Sequence, residues 1–255
     1  MEWDIRAHGP HDAVDSVLLL SGGLITAEFY AEVAARPELA GVKLVAATLP
    51  GHGGSSPPDD PGVEACAHEA AKLATEHGCS VVVGYSMGAN VALEMAAAEG
   101  FTGPIILLGP SFCVSDEMLM LRVLDRLARV LGTLPYRFML EFTDVALNAA
   151  QLPPERRNVL GNEVRKNSPG ELRRLIRAYL DYLRGHGSVA SRLCDTGVPA
   201  WVVHAERGDG GLTAAERRIL TACPTTTVVT VPGTSWFLPN EKPELVADLI
   251  LGALS

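Results

Sequence analysis

Short apolar runs, most of them closed by glycine or proline, are the feature of this sequence that most constrains its fold. Longer amphipathic stretches separate them, and they lie at residues 17–20, 42–47, 81–83, 105–108, 200–203 and 227–231. Runs this short that are apolar on both faces are typical of strands in a parallel sheet covered by helices on each side. The sequence therefore predicts an α/β fold with a mostly parallel, doubly wound sheet.

The stretch from residue 112 to residue 196 has a different pattern, with helical repeats and no convincing strand. Between Leu172 and Leu183 the apolar residues recur at helical spacing while arginines fall on the other side, which is typical of an amphipathic helix. A second such segment runs from about Met118 to Leu131. We therefore predict a helical insertion at 112–196 within a core made of residues 1–111 and 197–255.

The charge balance limits the classes of partner. The chain has 21 Lys and Arg against 30 Asp and Glu, a net charge of −9, which argues against nucleic acid or a membrane as the main partner. The predicted insertion is different, with 13 basic and 10 acidic residues, so the acidity belongs to the rest of the chain. Solvated helix faces explain this basic excess most simply; the alternative is guidance of an anionic substrate or an acidic partner.

The cysteines and the N-terminal residues predict the cellular compartment and the redox state of the thiols. Five cysteines lie far apart without a Cys-x-x-Cys pair or a His/Cys cluster, so we expect reduced thiols, no disulfide framework and no zinc site. The first ten residues lack the basic start and apolar run of a signal peptide, and no charge-free run is long and unbroken enough for a membrane helix. We expect a soluble, cytoplasmic protein that needs no metal and no organic cofactor.

The strongest chemical signal is a Gly-x-Ser-x-Gly motif at Gly84, Ser86 and Gly88, directly after an apolar run and before a helix of small residues. A sharp strand-to-helix turn holds the serine side chain clear of the backbone, and the glycines leave room for that turn. The helix N-terminus offers unpaired N–H groups, so the Met87 amide can stabilise a developing oxyanion. The motif predicts Ser86 as a nucleophile, with a coincidental turn as the alternative.

With this motif the sequence resembles the α/β-hydrolase family over essentially its whole length. Ser21-Gly22-Gly23 follows the first apolar run, where the family has a His-Gly oxyanion loop, and Ser21 stands in place of the histidine. The resemblance implies the Gly23 amide as second oxyanion donor, or Leu24 if the register shifts by one residue. The loop 49–55 resembles a loop near the family's active site, and residues 112–196 occupy the place of the helical cap, which commonly forms the substrate pocket.

The resemblance also implies a catalytic carboxylate. Residues 198–209 are similar to the late strand and turn that carry the acid of the family's triad, and Asp209 stands about where that acid falls. Glu206 is the local competitor. A purely structural alternative is that Asp209 only caps the helix predicted at 213–222.

The family's catalytic histidine has no counterpart. The turn after the last predicted strand matches the family's frame, but the expected histidine is Trp236, and no histidine follows His204. An indole cannot accept a proton, and a serine without a base is a poor nucleophile. A substitute base could come from elsewhere in the fold: His52, on the loop expected near the pocket, is the first candidate, ahead of His204 and His186.

The function that follows is hydrolysis of a small ester, lactone or thioester through Ser86 with an impaired or non-standard triad. A non-hydrolytic enzyme of the lyase or cyclase type, assisted by the oxyanion donors and Asp209, is one alternative. A catalytically silent ligand-binding protein, in which Trp236 forms a wall of the pocket, is another, and a fourth is that Trp236 was introduced into the chain. In each case the expected partner is a small molecule, and the sequence does not predict the oligomeric state.

Overall fold

The computed structural model describes residues 2–148, 150–207 and 211–255. The strands are β1 (Asp4–His8), β2 (Ser16–Leu20), β3 (Lys43–Thr48), β4 (Val81–Tyr85), β5 (Ile105–Leu108), β6 (Ala200–Arg207) and β7 (Thr226–Thr234). The helices are α1 (Ala31–Ala34), α2 (Val63–Glu76), α3 (Met87–Ala98), α4 (Leu119–Leu131), α5 (Leu134–Glu141), α6 (Thr143–Asn148), α7 (Pro154–Arg165), α8 (Pro169–His186), α9 (Ala190–Thr196), α10 (Ala214–Ala222), α11 (Leu238–Glu241) and α12 (Pro243–Leu254), with 3-10 turns at Ala27–Tyr30 and Pro37–Leu39.

The strands form one sheet in the order β1-β3-β2-β4-β5-β6-β7. All neighbouring pairs are parallel except β1 and β3, which are antiparallel. The prediction of a mostly parallel, doubly wound sheet is confirmed, and each of the six apolar runs forms a strand. The sequence analysis missed β1 because this edge strand is half-exposed and carries no apolar run.

The core consists of two apolar layers, one on each face of the sheet. Alternate residues of the central strands contribute to opposite layers: Leu18 and Leu20 pack with α2 and α3, whereas Val17 and Leu19 pack with α1 and α12. Because helices cover both faces, β2 is buried at every position. This burial explains why the strands are continuous apolar runs rather than alternating ones.

The stretch from residue 112 to residue 196 contains α4 to α9 and, among its described residues, no strand. The helices predicted at 118–131 and around 172–183 are α4 and α8, and the one predicted at 213–222 is α10. The last part of the stretch joins the core, because Leu183, Val189 and Leu193 pack in the same apolar layer as α2 and α3.

A buried ionic contact fixes α8 and α9 on α3. The Glu94 carboxylate, on α3, is fully buried and accepts hydrogen bonds from Arg192 Nε and Nη2 at 2.9 and 2.7 Å. Tyr182 donates to the same carboxylate at 2.8 Å. A buried charge is tolerable when a bidentate partner and further donors satisfy it, so these bonds hold the end of the helical stretch in one position on the core.

One prediction from the cysteines is wrong. Cys194, on α9, and Cys223, just after α10, form a disulfide with their Cα atoms 5.6 Å apart, although they are separated by 29 residues in sequence. Sequence spacing could not show this pairing because packing of α9 against α10 brings the two residues together. Cys66, Cys79 and Cys113 are free. None of the described helices is both long enough and apolar enough to cross a membrane.

Candidate active site

Ser86 lies on a sharp turn between β4 and α3, with φ 51° and ψ −119°. Residues other than glycine rarely adopt a positive φ, so the backbone at Ser86 is strained. The flanking glycines are sterically required: a Cβ on Gly84 would collide with the Gly88 carbonyl, and a Cβ on Gly88 would collide with the Ser21 carbonyl. The turn therefore presents the serine at the end of the strand, as the motif predicted.

Two backbone N–H groups near Ser86 are available as donors. Neither the Met87 N–H, at the start of α3, nor the Gly23 N–H has an acceptor in the described part of the chain. A Cβ placed on Gly22 would lie 3.3 Å from Ser86 Cβ, so the loop after β2 lies against the serine. Leu24, the alternative donor, has its N–H engaged elsewhere, and this arrangement favours Gly23.

Ser21, which replaces the histidine of the usual oxyanion loop, holds this loop in place. Its buried hydroxyl donates to the Ile25 carbonyl at 3.2 Å and accepts from the Leu49 N–H at 3.1 Å. The hydroxyl thus joins the loop after β2 to the loop after β3. The sequence analysis noted the departure at Ser21 but missed this role, which depends on a contact between segments distant in sequence.

His52 lies beside the oxyanion loop. Its Nδ1 accepts the Leu24 N–H at 3.2 Å, and a Cβ on Gly23 would lie 3.8 Å from its Cε1. The ring is buried, and burial lowers the pKa of His52 from its ordinary value to about 4. The imidazole is therefore neutral near pH 7, and because Nδ1 accepts, the ring proton sits on Nε2. In this state Nε2 is a donor and not a base.

A single carboxylate anchors the turn that carries Trp236. Glu241 Oε2 accepts from the Trp236 N–H at 2.9 Å, from the Phe237 N–H at 3.1 Å and from the Ser235 hydroxyl. Tyr85, the residue before the serine, donates its hydroxyl to the Trp236 carbonyl. The turn is thus held beside the strand that ends at the serine. The sequence did not predict this role of Glu241, which lies just before the final helix.

The Ser86 hydroxyl makes no hydrogen bond with any residue in the ranges that the structure describes. The other candidate bases lie elsewhere. His204 is buried in β6, where it is in register with Thr230 of β7, and His186 is at the C-terminal end of α8 with its Nε2 3.0 Å from Glu64 Oε1. The described residues therefore place no imidazole in hydrogen-bond contact with the serine.

The predicted acid, Asp209, lies outside the described residues. Glu206, its competitor, is exposed at the end of β6 and accepts the Gly233 N–H at 2.8 Å, so it ties β6 to the end of β7. The N-cap of α10 is Thr213, which forms a capping box with Glu216.

A small cavity adjoins the site beneath α8. Its walls include Pro50, His52, Met87, Leu175 and Tyr179, so both the core and the helical stretch contribute to it. Its volume is about 20 Å³, and a cavity needs about 10–15 Å³ to hold one water molecule. The cavity is therefore mostly apolar with room for about one water molecule, the His52 ring is among its polar groups, and Ser86 is not among the residues that line it.

One group of side chains in the described part of the chain has a spacing that could hold a metal ion. Cys113, Asp116 and Glu216 bring ligand atoms within 4.8 Å of one another. Their carboxylates already serve backbone groups, however: Asp116 accepts the Phe112 and Cys113 N–H groups, and Glu216 accepts the Thr213 N–H. Local loop and cap geometry explains this cluster.

The comparison with known proteins agrees with the fold and the motif. A family model described as the alpha/beta hydrolase family matches residues 17–249. The chain belongs to this family. The resemblance drawn from the Ser86 motif is therefore confirmed, as is the predicted fold. A search of curated proteins finds no significant match.

Solved structures of other alpha/beta hydrolases share the fold at low identity. The esterase EaEST from Exiguobacterium antarcticum is 14% identical with a TM-score of 0.77, over 99% of this chain and 96% of that one. A thermophilic esterase from Thermogutta terrifontis is 19% identical with a TM-score of 0.75, over 99% and 92%. MenH from S. aureus is 18% identical with a TM-score of 0.72, over 99% and 97%. Identities this low support the fold alone.

Proposed function

We propose that this alpha/beta hydrolase cleaves small carboxylic esters, lactones or thioesters through Ser86, at a rate limited by the missing triad histidine. The observation that carries the proposal is the strained Ser86 with two unengaged N–H groups, those of Met87 and Gly23, beside it. Strain of this kind costs about 1–3 kcal/mol and is concentrated at functional sites.

The chemistry would begin with attack of the Ser86 oxygen on the substrate carbonyl carbon. The carbonyl electrons move to the oxygen, which becomes an oxyanion and accepts hydrogen bonds from the Met87 and Gly23 amides. Collapse of this intermediate expels the alcohol or thiol and leaves an acyl-serine, which water then hydrolyses. The proton of the serine hydroxyl must pass to solvent, because the indole of Trp236 cannot accept it.

The absence of a base limits both the rate and the leaving group. Oxyanion stabilisation and binding alone keep a residual acceleration of about 10³ to 10⁴ over water. Since Trp236 cannot later return a proton to the departing group, leaving groups that depart as stable anions are favoured. Thiolates and phenolates meet this condition better than simple alkoxides do, so we propose thioesters and aryl esters as the best substrates.

His52 is proposed as a hydrogen-bond donor to the pocket rather than as the substitute base. Its Nδ1 is engaged with Leu24, and a pKa of about 4 makes it a weak proton acceptor. The cavity beside it holds about one water molecule, so an acyl group would fit there only if α8 moved to widen it.

The test combines a fluorophosphonate probe with turnover of 4-nitrophenyl acetate. We expect slow labelling and turnover by the wild-type chain, and loss of both in Ser86→Ala. Trp236→His should raise turnover about 100-fold or more, provided that Asp209 serves as its acid, whereas the control Trp3→His should not. Equal turnover by the wild-type chain and Ser86→Ala would exclude the serine mechanism. An unchanged rate in a folded Trp236→His variant would contradict the assignment of Asp209 or of the oxyanion loop.

A second candidate function, a catalytically silent ligand-binding protein, is favoured by one observation, the indole-bearing residue at the position of the base. This hypothesis predicts no turnover by the wild-type chain, together with a change in tryptophan fluorescence on adding short-chain carboxylates such as butyrate. The change should persist in Ser86→Ala and disappear in Trp236→Phe. Its persistence in Trp236→Phe would mean that Trp236 does not report ligand binding.

A further inference from the structure

The helix α4 exposes much of its apolar surface. Asp125 and Ala128 are buried, and Leu121 and Leu124 pack against the apolar cluster beneath the helix, whereas the other large apolar residues of the helix are exposed. An amphipathic helix of a globular protein normally turns its apolar stripe toward the core. In α4 only part of that stripe does so, and the remainder faces outward.

Ion pairs to Asp125 explain this orientation. Its carboxylate lies 3.1 Å from Arg177 Nε and 3.5 Å from Arg184 Nη2, both on α8, and 3.4 Å from Arg129 Nη2 on its own helix. Burial raises the pKa of Asp125, but Arg177 and Arg129 more than offset it and hold that pKa below its ordinary value. A buried carboxylate without these partners would be strongly destabilising, so the side of α4 that carries Asp125 must face α8.

The outward side of α4 is a continuous apolar face. Six residues form it: Leu119, Met120, Val123, Leu127, Val130 and Leu131. At about 100° per residue they occupy one arc of about 120° around the helix axis. Each exposes between 40% and 86% of its surface.

The next helix extends this surface. Leu134, Phe138 and Phe142 are spaced by four residues at the start of α5, within it and just after it, and all three are exposed. Residues four apart lie on one side of a helix. We call the apolar sides of α4 and α5 together the cap face. It comprises nine large apolar residues that are each at least 40% exposed, whereas monomers usually expose such residues singly.

Arginines border the cap face on one edge. Arg122, Arg126 and Arg129 fall on the arc next to Leu119 and Val130, and the only acidic residue of α4 is the buried Asp125. A second copy of the chain would bring an equally basic edge to this surface, with no acidic row on α4 to meet it. An anionic lipid surface offers both phosphates for the arginines and an acyl region for the apolar side chains.

We propose that the cap face binds peripherally to anionic lipid surfaces, with α4 in the plane of the interface. A strong amphipathic character, arginines on the polar side and large apolar residues on the other are the properties of interfacial helices. The net charge of the whole chain argued against a membrane partner, but that average conceals this local basic and apolar surface. The proposal does not depend on Ser86, so Ser86→Ala should bind lipid like the wild-type chain.

The test is vesicle flotation with phosphatidylcholine vesicles containing 30% phosphatidylglycerol, compared with pure phosphatidylcholine. We expect the wild-type chain to float with the anionic vesicles and to release in high salt. Val130→Glu should lower the partition coefficient at least tenfold, because it places a charge in the apolar region. The matched control is Val14→Glu, since Val14 is 97% exposed and lies in the loop before β2.

A second pair of variants tests how much the arginine charges contribute to vesicle binding. Arg126→Gln should weaken binding to anionic vesicles about fivefold, the effect of about one cation near the surface. Arg218→Gln, on exposed α10, should not. No flotation of the wild-type chain, or equal losses in Val130→Glu and Val14→Glu with native circular dichroism, would overturn the proposal. A wild-type dimer in sedimentation velocity that Val130→Glu makes monomeric, without vesicle binding, would instead assign the cap face to a second copy.

Discussion

The strain at Ser86 makes a prediction about stability that is independent of activity. Replacing Ser86 with glycine removes the Cβ that disfavours φ 51°, whereas replacing it with alanine keeps that Cβ. Both substitutions remove the hydroxyl, which has no hydrogen-bond partner among the described residues. The difference between the two variants therefore isolates the cost of the backbone conformation.

The magnitude follows from two opposing terms. Removing the strain of a non-glycine residue at positive φ stabilises the folded chain by about 1–3 kcal/mol. The greater conformational entropy of glycine in the unfolded chain opposes this gain by about 0.4–1 kcal/mol. The net gain of Ser86→Gly over Ser86→Ala should be about 0.5–2 kcal/mol. For a chain of this size, about 2–4 °C of Tm per kcal/mol gives a higher Tm by about 1–8 °C.

Differential scanning calorimetry of the two variants checks this value. Ser191, which is exposed within α9, supplies the control because a negative φ there makes glycine less stable than alanine by about 1 kcal/mol. The sign of the Gly-minus-Ala difference should therefore be opposite at the two serines. If Ser86→Gly unfolds at or below the Tm of Ser86→Ala, the turn stores no strain and the physical argument for a functional elbow fails.

Acid should destabilise the fold through His52. The pKa of this residue is about 4 in the folded chain and about 6.5 in the unfolded chain, so the unfolded chain binds a proton more readily. Its contribution of up to about 3 kcal/mol to the free energy of unfolding is therefore complete above pH 6.5 and is lost as the pH falls to 4. Urea unfolding at both ends of this range should show a smaller pH dependence in His52→Asn, which keeps an acceptor for the Leu24 N–H, and an equal dependence would show that His52 is not responsible. Thiol titration of the denatured chain should find three free thiols before reduction and five after it. Cys194→Ser should lower the free energy of unfolding by about 3–4 kcal/mol for a loop closed across 29 residues, and five thiols without reductant would refute the bond to Cys223. Glu241→Gln should cost about 1.5–3 kcal/mol in chemical denaturation, because it weakens three charge-assisted bonds to residues 235–237, and an unchanged midpoint would show that this carboxylate does not hold the turn.

Local sequence patterns predicted most of the sheet and the central part of the site. Each apolar run formed a strand because burial on both faces requires continuous apolar residues. The glycines around Ser86 were informative because the turn excludes a Cβ at Gly84 and Gly88. These signals depend on the residue itself and its immediate neighbours, so they can be interpreted without knowledge of the fold.

Contacts between residues that are distant in sequence could not be predicted from these local patterns. The partner of His52 is Leu24, and this single hydrogen bond decides which ring nitrogen carries the proton. In the same way, Glu241 anchors the turn of Trp236 through hydrogen bonds that form only in the folded turn, so the sequence could not predict them. Sequence could identify these residues as candidates, but their protonation and orientation depend on what surrounds them.

The sequence by itself determined the six parallel strands, the strained serine turn and the absence of a histidine at Trp236, because each depends on contiguous residues. Only the tertiary structure decided the disulfide between Cys194 and Cys223 and the outward face of α4. The pattern of α4 shows two faces without saying which is buried. The choice is made by Arg177, 52 positions from Asp125, because a buried carboxylate must face the cations that stabilise it.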